Sequence, residues 1–168
     1  EGKWEEMPKD IQWHMIGHVQ TNKVKFMAPF VSLIHGVDSF KLLKEVNKQA
    51  LKNDRVIDCL LQIHIAEEET KFGLDDDELN SILASKEFKE MKNIRITGLM
   101  GMATFTDNQD QVKKEFSHLK SIYDKLQSQK IENCQLNTLS MGMSGDYKLA
   151  IECGSTMIRI GSSIFGTR

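Results

Sequence analysis

Two turns rich in Gly and Ser stand near the end of this 168-residue chain, SMGMSGDY at 140–147 and RIGSSIFG at 159–166, each at the end of an apolar strand pattern. Small residues at such strand ends let backbone N–H groups approach an anion closely. Arg159 lies two residues ahead of Gly161, which Ser162 follows. Alternation along a strand sends Ile158 and Ile160 to one face and Arg159 to the other. A buried arginine needs an acceptor, because an unpaired charge away from water is costly. A plain strand end with a tight turn and an ion-paired arginine accounts for this motif equally well. Ser144 precedes a helical pattern at 147–153, and a helix start binds anions through its free N–H groups. Ser144 is also an ordinary N-cap residue. The two turns together point to a phosphorylated ligand more strongly than either alone.

The elements that must position them alternate along the chain. Six apolar segments read as strands, at 11–16, 33–37, 59–65, 94–100, 136–141 and 157–160. Leu42, Leu43, Val46 and Ala50 give one face of a helix at 41–52, with Asp38 and Ser39 as a capping pair. Val112, Phe116, Leu119, Ile122 and Leu126 give a second helix at 112–129. Gly154 sits where the helix at 147–153 should end. Strand and helix alternating predict a parallel sheet and an α/β fold. An open doubly wound sheet would place its glycine-rich loop after the first strand, where only Gly17 stands. A (β/α)8 TIM-type barrel places its phosphate site after strands seven and eight. That placement numbers the six segments three to eight, with two N-terminal βα units expected upstream. Two prolines and no low-complexity run make residues 1–168 a single domain.

Composition narrows the classes of function. The chain is 40% hydrophobic and 27% charged with a net charge of −2, and its lysines are spread along the whole length. A nucleic-acid interface built on a basic patch is not expected. No apolar run reaches the length of a membrane-spanning helix. Cys59, Cys134 and Cys153 are odd in number and widely spaced, which suits a reducing cytoplasm, and Cys59 in CLLQIHI reads as a core residue. The opening EGKWEEMPKD is charged rather than a hydrophobic signal segment and does not begin with methionine, so the natural chain is expected to start further upstream. His14, His35 and His64 lack zinc-type spacing. Met100, Met102, Met141 and Met143 suggest barrel packing. The acidic stretches 67–69 and 75–78 read as a solvated loop and a helix start, without the ligand pattern of a calcium loop.

The segments WHMIGHVQTNKVK (13–25), IHGVDSFKL (34–42), LLQIHIAEEETKFG (60–73), ITGLMGM (96–102), LSMGMSGDYKLAI and GSTMIRIGSSIFG fall in order over residues 11–166. The chain resembles the pyridoxal-phosphate homeostasis protein family, whose fold is the barrel of the alanine racemase N-terminal domain. The resemblance implies pyridoxal 5′-phosphate as cofactor, with Arg159 facing its pyridine nitrogen. It implies that Gly161, Ser162 and Ser144 hold the phosphate, and that Ser140, Met141 and Gly142 line the same pocket. His18, Gln20 and Asn22 fall at the mouth of such a barrel, where a polar loop capping the next helix explains them as well. The family's Schiff-base lysine, in an AVSK-type motif, and its FGEN-type segment are not found in this sequence. Lys71 follows a strand but reads as a solvated loop residue. The implied function is cytoplasmic binding and buffering of the cofactor by a monomer, with possible hand-over to apo-enzymes dependent on it. A racemase-like enzyme is the alternative, disfavoured because an arginine at the ring nitrogen weakens the cofactor as an electron sink.

Overall fold

The computed structural model describes residues 2–68 and 72–166. Lys71 and Glu69 lie outside the described residues. In chain order the elements are α1 (Gly2–Glu6), β1 (Trp13–Met15), a 3-10 turn (Thr21–Lys23) running into α2 (Val24–Met27), β2 (Val31–Val37), α3 (Phe40–Lys52), β3 (Ile57–Gln62), α4 (Asp76–Ala84), α5 (Lys86–Lys89), β4 (Ile94–Met100), α6 (Gln109–Gln127), β5 (Cys134–Met143), α7 (Tyr147–Glu152), β6 (Met157–Arg159) and α8 (Ser162–Phe165). The strands form one sheet in the order β1-β2-β3-β4-β5-β6, and every neighbouring pair is parallel.

Each expected strand is present, β4 with the expected ends and the other five with shifted ends. The first is only Trp13–Met15, because β1 ends the sheet order and has one pairing neighbour. The strand expected at 59–65 stops at Gln62, where Ile63 passes into a single bridge with Leu74. The helix expected from Val112 starts at Gln109, because Asn108 caps it by accepting from Gln111 N–H. Ser39 caps α3 by accepting from Leu42 N–H. The acidic stretch at 75–78 opens α4 as a capping box, with Asp75 and Glu78 exchanging bonds with each other's backbone N–H.

Two faces of the sheet have different roles. Toward the helices, Ile34, Val37, Cys59, Leu61, Ile96, Leu99, Leu139 and Met141 pack with Leu43, Val46, Phe116 and Leu119 in the main core. Partners in a parallel ladder share a face, so the register His14–Leu33–Asp58–Arg95 and Gln62–Met100–Ser140–Met157 defines the opposite, inner face. There Leu33, Leu60 and Met100 form a small apolar cluster with Met102 and Met157 against it. Gly98 allows β4 and β5 to meet: a Cβ there would stand 1.7 Å from Thr138 O.

Candidate functional site

Arg159 ends β6 on the inner face and is 9% exposed. Its Nη1 donates to Ser140 Oγ at 2.7 Å and its Nη2 to Gly101 O at 3.1 Å. Its Nε has no partner, a state shared among the described residues only with the buried Trp13 Nε1. Burial pulls the guanidinium down to about 10, against an opposing upward pull from Asp146. It therefore stays charged at neutral pH with its Nε–H unpaired.

Ser140 is fully buried and joins Arg159 to a second group, for its Oγ lies 3.1 Å from His35 Nδ1. His35 Nε2 in turn lies 3.2 Å from His14 Nδ1. Burial first, then the like charge of His14 and Arg159, lowers the His35 imidazole to about 4. Burial also lowers His14. Spacing alone gives these histidines no metal-site signature and does not join them. The available signal was their parallel placement, one in WHM of β1 and one in IHG of β2, each on the face that alternation sends inward.

The turn after β5 is built differently from the expected cap. Asp146, not Ser144, stands at the cap position of α7, and its Oδ1 accepts from Met143 N–H at 2.6 Å. The turn closes on itself through Asp146 N–H to Met143 O. Ser144 is thereby released from α7 and reaches the next turn, where its Oγ accepts from Gly161 N–H at 3.2 Å and Ser163 N–H at 3.3 Å. The two turns read as neighbours in the sequence are joined through this hydroxyl.

The remaining candidates separate by face. Ser140 and Arg159 meet on the inner side, while the Met141 side chain is buried in the helix-side core and only its backbone is available at the strand end. Gly142 has φ +96, and a Cβ there would stand 2.6 Å from Ala150 Cβ, so it seats α7 on β5. Gly161 precedes the single-turn helix α8, whose first residue is Ser162. Beside these turns a hollow of about 690 Å³ is lined by Ser144, Gly145, Tyr147 and Ser163 together with Thr106 and Gln109. His18 is paired with Asp38 at 2.8 Å and stacked on Phe72 at 4.2 Å. Gln20 leads into the 3-10 turn, and Asn22 lines a hollow with Lys41 and Glu45, away from the Arg159 cluster. Glu115, on the buried stripe of α6, binds the loop after β4 through Thr104 N–H and Thr104 Oγ1, both at 2.7 Å.

The model of the alanine racemase N-terminal domain matches residues 6–168. The chain belongs to that family. Within it, the chain is 40% identical over 159 residues to the pyridoxal phosphate homeostasis protein of Aquifex aeolicus, covering 95% of this chain and 68% of the relative. The Haemophilus influenzae protein of the same name is 35% identical, covering 95% and 66%. The chain thus spans about two thirds of the length of the curated relatives it matches. Among solved structures, PipY of Synechococcus elongatus with pyridoxal phosphate bound superposes with a TM-score of 0.85 at 29% identity, over 98% of this chain and 74% of PipY. An alanine racemase of Clostridium difficile, at 12% identity and a TM-score of 0.68 over 94% of this chain and 40% of its own, shares the fold. The six strands are those of the family's (β/α)8 barrel, numbers three to eight.

Proposed function

We propose that this chain carries the face of a pyridoxal 5′-phosphate homeostasis protein that holds the cofactor, binding and buffering it rather than turning over a substrate. One observation supports this above the rest: a buried, charged Arg159 whose Nε–H lacks a protein acceptor. A donor of that kind suits the ring nitrogen of a pyridine, and the guanidinium, having no proton to spare at neutral pH, keeps that nitrogen unprotonated. Arg159 and Gly161 are two residues apart, about 7 Å along an extended strand, the scale of one substituted ring and a phosphate arm. The N–H groups of Gly161 and Ser163, gathered at Ser144, and the small residue Ser162 would take the phosphate end, with Ser140 behind Arg159 and Gly142 and the Met141 backbone lining the pocket beside them. The residues present therefore fit the cofactor.

When bound, pyridoxal phosphate supplies an aldehyde and an electron-withdrawing ring. Arg159 opposes strong withdrawal by leaving the ring nitrogen neutral, which favours storage over racemase-like chemistry. The names of the curated relatives agree with that choice. Delivery to apo-enzymes, a monomeric state and a cytoplasmic location belong to the same reading, the last suited by the free thiols of Cys59, Cys134 and Cys153. No helix among the described residues is long and apolar enough to cross a membrane.

Calorimetric titration with pyridoxal 5′-phosphate and with pyridoxine 5′-phosphate, which lacks the aldehyde, tests the reading. Saturable binding of both is expected, weakened about tenfold or more by Arg159→Gln, consistent with the loss of a charge-assisted bond. No binding of either, or unchanged binding by the variant, contradicts it.

A further inference from the structure

Ser140 fixes the direction of a hydrogen-bond chain that crosses the inner face from Arg159 to His14. Its Oγ already accepts from Arg159 Nη1. The hydroxyl proton then needs an acceptor of its own, because a buried O–H left unpaired is costly. Among the bonds of the described residues, that acceptor is His35 Nδ1 at 3.1 Å. A neutral imidazole carries one proton, so His35 holds it on Nε2 and donates to His14 Nδ1 at 3.2 Å. Arg159, Ser140, His35 and His14, from β6, β5, β2 and β1, then donate head to tail, an arrangement in which each bond polarises the next. With the opposite tautomer of His35, Ser140 Oγ would receive two donors and its own proton would be stranded.

We propose that His35 is the positioning residue of Arg159: it accepts the Ser140 hydroxyl proton, keeps the Ser140 lone pair turned to the guanidinium, and passes the chain to His14, so that ligand binding at Arg159 requires a neutral His14. This rests on the reading of Arg159 given above and adds to it a control of that site. Protonation of His14 would set an N–H on Nδ1 against the N–H of His35. The chain must then break at His14 or reverse, and reversal strands the Ser140 proton. His14 is partly desolvated at its Nδ1 contact but open to solvent elsewhere, so its proton exchanges with solvent while His35 and Ser140 are buried.

Among the described residues, the charged and titratable groups facing this hydrogen-bond chain are these. His35 faces His14 and Arg159, with the Asp58–Arg95 pair (2.8 Å) one layer lower on β3 and β4. His14 shares its hollow with Lys3 of α1 and Lys23 of the 3-10 turn, and Asp146 acts on Arg159.

Nitrogen NMR of the histidines in the ligand-free chain tests the relay directly. Near pH 7, His35 is expected as the Nε2–H tautomer, with its signals perturbed in step with the titration of His14. An Nδ1–H tautomer or an imidazolium at His35 near pH 7 overturns the proposal. Calorimetry with pyridoxine 5′-phosphate between pH 5 and 8 then reads the consequence. The titration of the probe itself is common to all variants, so the comparison between variants carries the result. His35→Ala is expected to lose about three- to tenfold in affinity, the scale of one buried hydrogen bond. His35→Asn, whose side-chain oxygen can stand in for Nδ1, should recover most of that loss but not the dependence on His14. His14→Ala, at an exposed position, should flatten that dependence in a folded protein. Full pH dependence in His14→Ala, or wild-type affinity in His35→Ala at every pH, contradicts the proposal. A wild-type chain that binds no probe at any pH contradicts the proposed function instead, and the tautomer signals still decide the relay.

Discussion

Arg159 is held without a carboxylate: its partners among the described residues are a hydroxyl and a carbonyl oxygen. Neutral acceptors leave its charge free to act on a ligand, and they demand that the groups behind Ser140 stay neutral too. His35 is the residue where this requirement reaches stability. Its folded value, about 4, lies below the ordinary 6.5, so between those limits the unfolded chain binds the extra proton. Stability attributable to His35 is therefore complete above about pH 6.5 and falls as pH drops toward 4. Denaturant unfolding at pH 7 and pH 5 should show this loss, and His35→Asn should reduce it. Equal loss in the variant would assign the pH dependence elsewhere. Arg159 itself was legible from strand alternation. Ser140 was placed in the same pocket only by the family resemblance, and its bond to His35 was not legible at all, because the two are 105 residues apart and meet only through the ladder register.

At the scale of elements, the backbone contact between β4 and β5 is the tightest constraint on the inner face. Any side chain at Gly98 would meet Thr138 O. Gly98→Ala should destabilise the chain by about 1–3 kcal/mol or more, the range of overpacked sites, read as a lower denaturant midpoint; an unchanged midpoint would show that the strands part freely. The joint between the two turns depends on Ser144. Ser144→Ala should speed amide hydrogen exchange at Gly161 and Ser163 while β2 and β4 amides keep their protection. Exchange unchanged at both amides would mean that the hydroxyl does not hold the turns. The α/β alternation and all six strands were readable from apolar periodicity. The role of Ser144 was not, because Asp146 two residues on competes for the same turn, and sequence alone does not show which side chain takes the Met143 N–H. Short elements such as α5 and α8 carry too few periodic positions to be seen.

Across the whole molecule, the parallel sheet separates two functions of side chains. One face builds the core with the helices, and the other collects Arg159, Ser140, His35 and His14 across four strands. A barrel's strand order makes such a row possible, because every strand delivers inward residues to one space. The family resemblance read in WHMIGHVQTNK and SMGMSGDY agrees with the match over residues 6–168, whereas the polar row behind Arg159 emerged only from the structure. The most direct test of the account is the arginine Nε–H spectrum of the nitrogen-labelled protein during titration with pyridoxal 5′-phosphate, with Arg159→Gln identifying the signal. The account predicts a saturable displacement of the Arg159 Nε–H resonance, as its free donor gains an acceptor. Binding of the cofactor that leaves this resonance in place would contradict it.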